Sequence, residues 1–336
     1  MAVVYVKEQG ALVKKSSERI LISKGANTLF EIPVRQMENI ALIGNVQITT
    51  QALHMLMEKG VDVSYFSYSG KYLGHTAAES SKNIFLRFQQ YAYYLDEDKR
   101  LEMAKVIVKN KIQNQMAVIK AHRWENDIHD WKSDLMQMGK YMESLYEKTE
   151  PNELLGIEGI CSNIYFGAFG NMLKCDFQFH GRNRRPPKDP VNVMISLAYT
   201  FLTREMCSAL DAESFEAYLG FLHGIRYGRK SLALDMIEEF RQPMVDRLIL
   251  FLFNKHVIGK YDFDFPEDGG VVLNEDVFQK FCKEYERWAD GRNHASGEKS
   301  FRIKIREQAA QLKKAICKGE HYIPYNWENR YVCNQL

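Results

Sequence analysis

The chain has 336 residues, more than the roughly 100 to 200 that one domain typically needs, so two domains are expected, each large enough to bury a core. Hydrophobic residues make up 46% and charged residues 26%, which excludes a disordered or fibrous chain and fits a soluble globular one. A formal net charge of +2 leaves nucleic-acid binding open, because phosphate contacts need locally clustered Lys and Arg rather than a high total.

The longest uninterrupted apolar run, Leu248 to Phe253, is far shorter than the roughly 18 to 20 residues of a membrane span. Met1 to Gly10 meets Lys7 and Glu8 too early for a secretory signal, so a cytoplasmic protein without a membrane partner is expected. Cysteines at 161, 175, 207, 282, 317 and 333 form no C-x-x-C pair, which argues against a disulfide framework or structural zinc and for reduced thiols.

Residues 1–75 carry short β-branched and aromatic stretches (Val3 to Val6, Arg19 to Ile22, Val61 to Phe66) broken by Gly and Ser, which predicts a mostly antiparallel β domain. One helix interrupts it, capped by Thr49 or Thr50, running through Leu53, Leu56 and Met57 and stopping at Gly60. Residues 76–82 turn polar and small and are expected to be a linker. From 83 to 336 the chain reads as an all-α domain with helices near 83–95, 98–124, 126–147, 153–175, 190–211, 231–254, 275–290 and 299–318. The stretch from Tyr261 to Gly270 reads as a loop. The fold class is therefore α+β, with the β domain first.

Around Glu158 the helix is apolar on almost every side, and its helical neighbours Leu154, Leu155, Cys161, Ser162 and Tyr165 offer little to neutralise a carboxylate. An unpaired buried charge costs several kcal/mol, so Glu158 needs a cation, a proton or a basic partner on an adjacent helix. Gly156, Gly159, Gly167 and Gly170 weaken this helix, which makes sense where another backbone or a nucleic acid strand comes close.

Further on, His223 precedes a basic, Gly-containing turn, after which Ser231 can cap a new helix. Asp235 and Glu238, three residues apart, share a face of that helix, and Pro243 marks a kink or stop. Taken alone, His223 also reads as a satisfied core histidine and the acids as residues favoured by the helix dipole. Together with Glu158 they form a mixed nitrogen and oxygen set suited to Mg²⁺ or Mn²⁺, whose chemistry would be phosphodiester cleavage or transfer.

Basic residues lie close by. Arg182, Arg184, Arg185 and Lys188 sit in a Pro-stiffened loop, and Arg226, Arg229 and Lys230 lie between His223 and Asp235, both suited to phosphate. Near the C-terminus Arg302, Lys304, Arg306, Lys313, Lys314 and Lys318 face one acid, Glu307, and a solvated helix face explains them equally well.

The ordered series G-I-E-G, R-N-R-R-P-P-K-D-P-V-N, Y-L-G-F-L-H, G-R-K-S-L-A-L-D and M-I-E-E-F-R resembles the CRISPR-associated integrase family, the larger of the two general spacer-acquisition proteins. Its L-A-L-D-M-I-E-E-F-R form is most similar to members of type I systems, subtype C among them. The resemblance implies a β domain that dimerises, an α-helical catalytic domain, and assembly of two homodimers with a small dimeric companion protein. The family's metal-binding Glu and His fall on Glu158 and His223, and its third acidic ligand on Glu238, with Asp235 as an adjacent acid. The implied reaction is metal-dependent attack of a 3′-hydroxyl of a short spacer-precursor duplex on a phosphodiester of double-stranded repeat DNA, without a nucleotide cofactor. A catalytically silent DNA-binding scaffold for a partner nuclease is the alternative.

Overall fold

The computed structural model describes residues 2–68, 70–76, 83–122, 129–175, 177–183, 187–265, 270–291 and 298–327. The chain divides into two compact units, Met1–Ser80 and Ser81–Leu336. Of the expected linker 76–82, all but Thr76 lies outside the described residues.

The first unit contains β1 (Ala2–Val6), β2 (Leu12–Ser16), β3 (Arg19–Lys24), β4 (Asn27–Pro33), β5 (Met37–Ile43), β6 (Gln47–Ile48), α1 (Thr50–Glu58), β7 (Asp62–Phe66) and β8 (Tyr72–Thr76). They form two four-stranded sheets, ordered β1-β5-β7-β8 and β4-β3-β2-β6. The β unit holds, and its sheets combine antiparallel with parallel pairs. Pairs β2–β3, β3–β4 and β7–β8 are antiparallel, whereas β1–β5, β5–β7 and β2–β6 are parallel.

The cause is connectivity. β5 and β7 are joined through α1, and a parallel pair needs such a crossover. Thr49 caps α1 by accepting from the Ala52 N–H at 3.3 Å, and Gly60 follows its end with φ +67°. Met55 and Leu56 of α1 join Val13, Ile20, Ile40 and Val63 in one buried cluster.

The second unit contains α2 (Ile84–Leu95), α3 (Glu97–His122), α4 (Trp131–Ser144), α5 (Pro151–Met172), α6 (Pro190–Glu213), α7 (Ser231–Ile237), α8 (Arg247–Asn254), α9 (Glu275–Ala289) and α10 (Phe301–Lys318). α3 packs on α5, and α6 packs on α7 and α10. Helix entries follow the sequence. Glu150 and Glu153 form a capping box at Pro151, and Asp189 accepts from the Asn192 N–H at 2.8 Å just before Pro190.

Three details depart from the sequence expectations. The 231–254 stretch is not one helix: α7 ends at Ile237, and Arg241–Asp246 forms a π-helical turn before α8. Pro243 lies in that turn, where it has no N–H to give to a regular α-helical ladder. Second, the 261–270 stretch contributes β9 (Phe263–Asp264), which pairs antiparallel with β10 (Val272–Leu273). Third, α5 is not enclosed all round. Gly156 and Gly167 are exposed, a Cβ added at Gly156, Gly159 or Gly167 would meet nothing within 4 Å, and only Gly170 approaches a backbone, at Phe179 O.

Cys161, Cys175, Cys207, Cys282 and Cys317 are free thiols. Among the described residues, no helix is long and apolar enough to cross a membrane.

Candidate metal centre

α3 is the element whose role the sequence pattern hid. Asn110, Lys111, Asn114 and Gln115, spaced to share one helix face, are all buried. Lys111 Nζ pairs with Glu158 Oε1 on α5 and lies 2.7 Å from Glu238 Oε2, just beyond the end of α7. The lysine side chain is 6% exposed and that of Glu238 only 3%, whereas Glu158 keeps 21%, so the cluster opens to solvent on the Glu158 side. The basic partner that Glu158 requires is therefore Lys111.

Glu238 is held by a second cation: Arg241 Nε, from the π turn, lies 3.1 Å from its Oε1. Burial pushes the Glu238 carboxyl up, but Arg241, Lys111 and His223 outweigh it and hold the group at about 2. This carboxylate is ionised throughout the physiological range. Its Oε2 is buried against the Lys111 ammonium. Glu158 Oε1 also accepts from Ser162 Oγ at 3.1 Å.

His223 lies in the connection between α6 and α7. Its Nδ1 is 2.6 Å from Asp235 Oδ1, which also accepts from the His223 N–H at 3.0 Å. Asp235 Oδ2 accepts from the Phe221 and Leu222 N–H groups at 2.6 and 3.0 Å. Four donors thus converge on a fully buried carboxylate. Because the carboxylate can only accept from the ring, Nδ1 carries a proton, which leaves Nε2 as the nitrogen that a metal ion would take from the neutral ring. Gly220 makes this possible, since a Cβ there would lie 2.6 Å from Asp235 Oδ2 and 2.7 Å from the Ser231 carbonyl carbon.

A further polar layer braces the cluster. Asp246 accepts from Tyr199 OH at 2.7 Å and Tyr165 OH at 2.9 Å, and Arg241 stacks on the Tyr199 ring at 4.5 Å. Burial raises the Asp246 carboxyl to about 6, against the hydrogen bonds from Tyr199 and Tyr165 and the charges of Arg241 and Arg182. Cys161, one turn from Glu158, has its thiol pushed to about 12 by burial and by Glu158, which rules it out as a ready thiolate.

Two carboxylates and an imidazole with a free Nε2 are the donors a hard divalent cation takes. Among the described residues, no three His, Cys, Asp or Glu side chains converge tightly enough to enclose an ion, and Lys111 Nζ lies against both Glu158 and Glu238. The donor chemistry fits Mg²⁺ or Mn²⁺, with an ammonium as the cation bridging the two acids.

The expected phosphate-binding residues divide. Arg184 and Arg185 lie outside the described residues. Arg182 is turned inward, its Nη1 on Asn192 Oδ1 at 2.7 Å, its Nη2 on Ser196 Oγ at 2.9 Å and its guanidinium over Tyr199. Arg229 closes the turn ahead of α7 by donating to Gly224 O and to Ser231 Oγ, and Lys230 is half-buried. Arg226 is exposed, on a loop whose Ile225 and Tyr227 are also open to solvent. The C-terminal run is not a simple solvated face either, since Arg302 is buried against Glu205, Glu286 and Asp290.

Lys111 and Arg241 were not singled out from the sequence. The signal for the first was the polar pair of pairs, 110–111 and 114–115, in a helix too long to be wholly exposed; for the second, its position three residues after Glu238.

The β unit followed by a helical unit defines a two-part α+β protein whose candidate site lies in the helical part. The chain belongs to the CRISPR associated protein Cas1 family, whose model matches residues 4–287. CRISPR-associated endonuclease Cas1 3 of Thermus thermophilus is 35% identical over 292 residues, covering 85% of this chain and 84% of that protein. A solved Cas1 protein from Thermotoga maritima is 27% identical, with a TM-score of 0.83 over 96% of this chain and 99% of that one. A casposase bound to integration product shares the fold at a TM-score of 0.85 and 21% identity, over 97% of this chain and 94% of that one.

Proposed function

We propose that this protein is a divalent-metal-dependent DNA endonuclease and integrase that inserts short duplexes into a CRISPR repeat array. The observation that carries the reading is the pairing of Glu158 and Glu238, from separate segments, on one buried lysine, with His223 near enough for its charge to act on Glu238. Membership of the Cas1 family supports the substrate and the endonuclease activity.

Glu158, Glu238 and the Nε2 of His223 would hold Mg²⁺ or Mn²⁺. Such an ion polarises a phosphate oxygen and lowers the pKa of an attacking hydroxyl or water. In the transfer, the new P–O bond forms to the incoming 3′-oxygen as the old P–O bond breaks, and the departing 3′-oxygen takes up the proton that the attacker gives up. One phosphodiester replaces another, so no nucleotide is consumed. Asp235 would hold the imidazole with Nε2 toward the ion, Arg241 pairs with Glu238 and favours its ionised form, and the exposed Arg226 would meet a DNA phosphate.

The same reading includes a homodimer formed through the β unit, a complex with the small companion acquisition protein and action in the cytoplasm. The L-A-L-D-M-I-E-E-F-R segment supports a type I system, with subtype C a specific possibility to test by its genomic partners. The deciding experiment is strand transfer of a short duplex into repeat DNA with Mn²⁺, using wild type, Glu158→Ala, His223→Ala and Glu238→Ala. Loss of transfer in all three variants with DNA binding retained supports the assignment. Four equally active proteins overturn it, and an inactive wild type that binds DNA favours the scaffold alternative.

A further inference from the structure

We propose that Lys111 is an exchangeable counter-ion of this centre, whose ammonium holds Glu158 and Glu238 together until a divalent cation takes over both carboxylates. Lys111 thereby sets the affinity for metal. The inference rests on the metal-dependent reading above.

Glu158 and Glu238 contribute two negative charges to a site that is largely desolvated, and Lys111 and Arg241 balance them. Two paired carboxylates with no cation between them would repel each other in a medium where a contact between charges is worth several times its value in water. Lys111 thus stabilises the folded state when no divalent ion is bound. A divalent ion arriving at the same oxygens meets a like charge within contact distance, so the ammonium must withdraw.

The helix around the lysine is pinned in place. Asn110 Nδ2 and Asn114 Nδ2 both donate to the Tyr325 carbonyl, at 3.0 and 3.2 Å, and Asn114 also donates to Glu239 O and accepts from the Trp327 N–H. With α3 fixed on both sides of Lys111, exchange falls to the side chain alone. A lysine suits this, because its four-carbon stem rotates freely and its ammonium makes point contacts, unlike the planar fork of an arginine. Arg241 is the contrast: its guanidinium is stacked on Tyr199 and stays with Glu238.

The test is Mn²⁺ binding by the full-length protein, followed through the electron paramagnetic resonance signal of free Mn²⁺ and through thermal melts with and without Mn²⁺. The proteins are wild type, Lys111→Met, Glu158→Ala, and the double variant Lys111→Met with Glu158→Gln. Lys111→Met should bind Mn²⁺ about tenfold more tightly than wild type or better, since no ammonium has to leave. Without Mn²⁺ it should melt below wild type, with Glu158→Gln restoring part of the loss and saturating Mn²⁺ restoring more. If Lys111→Met is insoluble when purified alone, purification in Mn²⁺ should recover folded protein.

Lys111→Met that binds Mn²⁺ no more tightly than wild type, or that stays unfolded at saturating Mn²⁺, overturns the exchange while leaving the metal centre standing. Wild type with no saturable Mn²⁺ binding, or with binding that Glu158→Ala leaves untouched, overturns the metal centre and the exchange together.

Discussion

Replacing Asp235 by Asn separates a residue proposed to orient the site from one proposed to bind a metal ion. The substitution preserves shape and removes both the charge and one acceptor. Asp235 Oδ1 serves the His223 N–H and Nδ1–H, and Oδ2 serves the N–H groups of Phe221 and Leu222. An Asn carbonyl can stand at only one of these positions, so its NH₂ faces two donors at the other. Each buried donor left without an acceptor costs about 1–3 kcal/mol, so the variant should lose roughly 2–5 kcal/mol. In a unit of this size that corresponds to a fall in Tm on the order of 5–10 °C.

With the amide NH₂ toward His223 the ring is also driven to the other tautomer, which takes the Nε2 lone pair away from the site. Strand transfer should then drop about a hundredfold or more. Melting curves, Mn²⁺ titration and strand transfer on Asp235→Asn and Glu238→Gln make the comparison. Glu238→Gln should lose Mn²⁺ binding with a smaller change in Tm, because its partners Lys111 and Arg241 retain Glu158 nearby. An Asp235→Asn protein with unchanged Tm and abolished Mn²⁺ binding would reverse the roles and refute the donor count.

Two further outcomes follow from the surrounding layer. Asp246, raised to about 6 by burial, keeps its proton in the folded state over the range from its unfolded value of about 3.9 up to 6, where the unfolded chain has lost it. Stability therefore falls as pH rises through that window, by about 3 kcal/mol, and Asp246→Asn should remove that part of the slope; urea melts at pH 4.5 and 7.5 that differ equally for both proteins would refute the assignment. Arg226→Ala should weaken DNA binding severalfold, lower the dependence of log K on log salt by about one ion, and leave Tm unchanged, because the side chain is exposed. Fluorescence anisotropy at several salt concentrations measures this, and an unaltered salt slope would remove Arg226 from the DNA contact.

What the sequence revealed was the part encoded locally. Thr49 and Gly60 bound α1, and Asp189 with Pro190 opens α6, because caps and φ preferences act over a few residues. Strand direction depends instead on which segments meet: β1 pairs with β5 across two intervening hairpin connections, and nothing in either strand encodes that partner. Lys111 was hidden for the same reason. In a helix with Lys105, Lys109, Lys111 and Lys120 it reads as one of several surface lysines until α5 and the π turn are packed against it. Arg182 and Arg229 misled in the opposite direction, because a basic loop gives no sign that its guanidinium groups fold back onto Asn192, Ser196 and Gly224.

The deepest limit lies in the acids themselves. Asp235, Glu238, Glu239 and Asp246 fall within twelve positions, all are buried, and composition gives no means of ranking them. Their neighbours rank them. Asp235 is saturated by N–H donors from the His223 connection. Glu239 is raised to about 8 by burial, with Tyr322 OH and the Tyr325 N–H as its partners among the described residues, and is kept neutral near pH 7. Asp246 titrates near 6 between two tyrosines. Glu238 alone combines flanking cations with a carboxyl held at about 2. A divalent cation would need a ligand that is ionised and whose partner it can displace, and of these four acids Glu238 fits, since its Oε2 faces the Lys111 ammonium rather than backbone N–H groups.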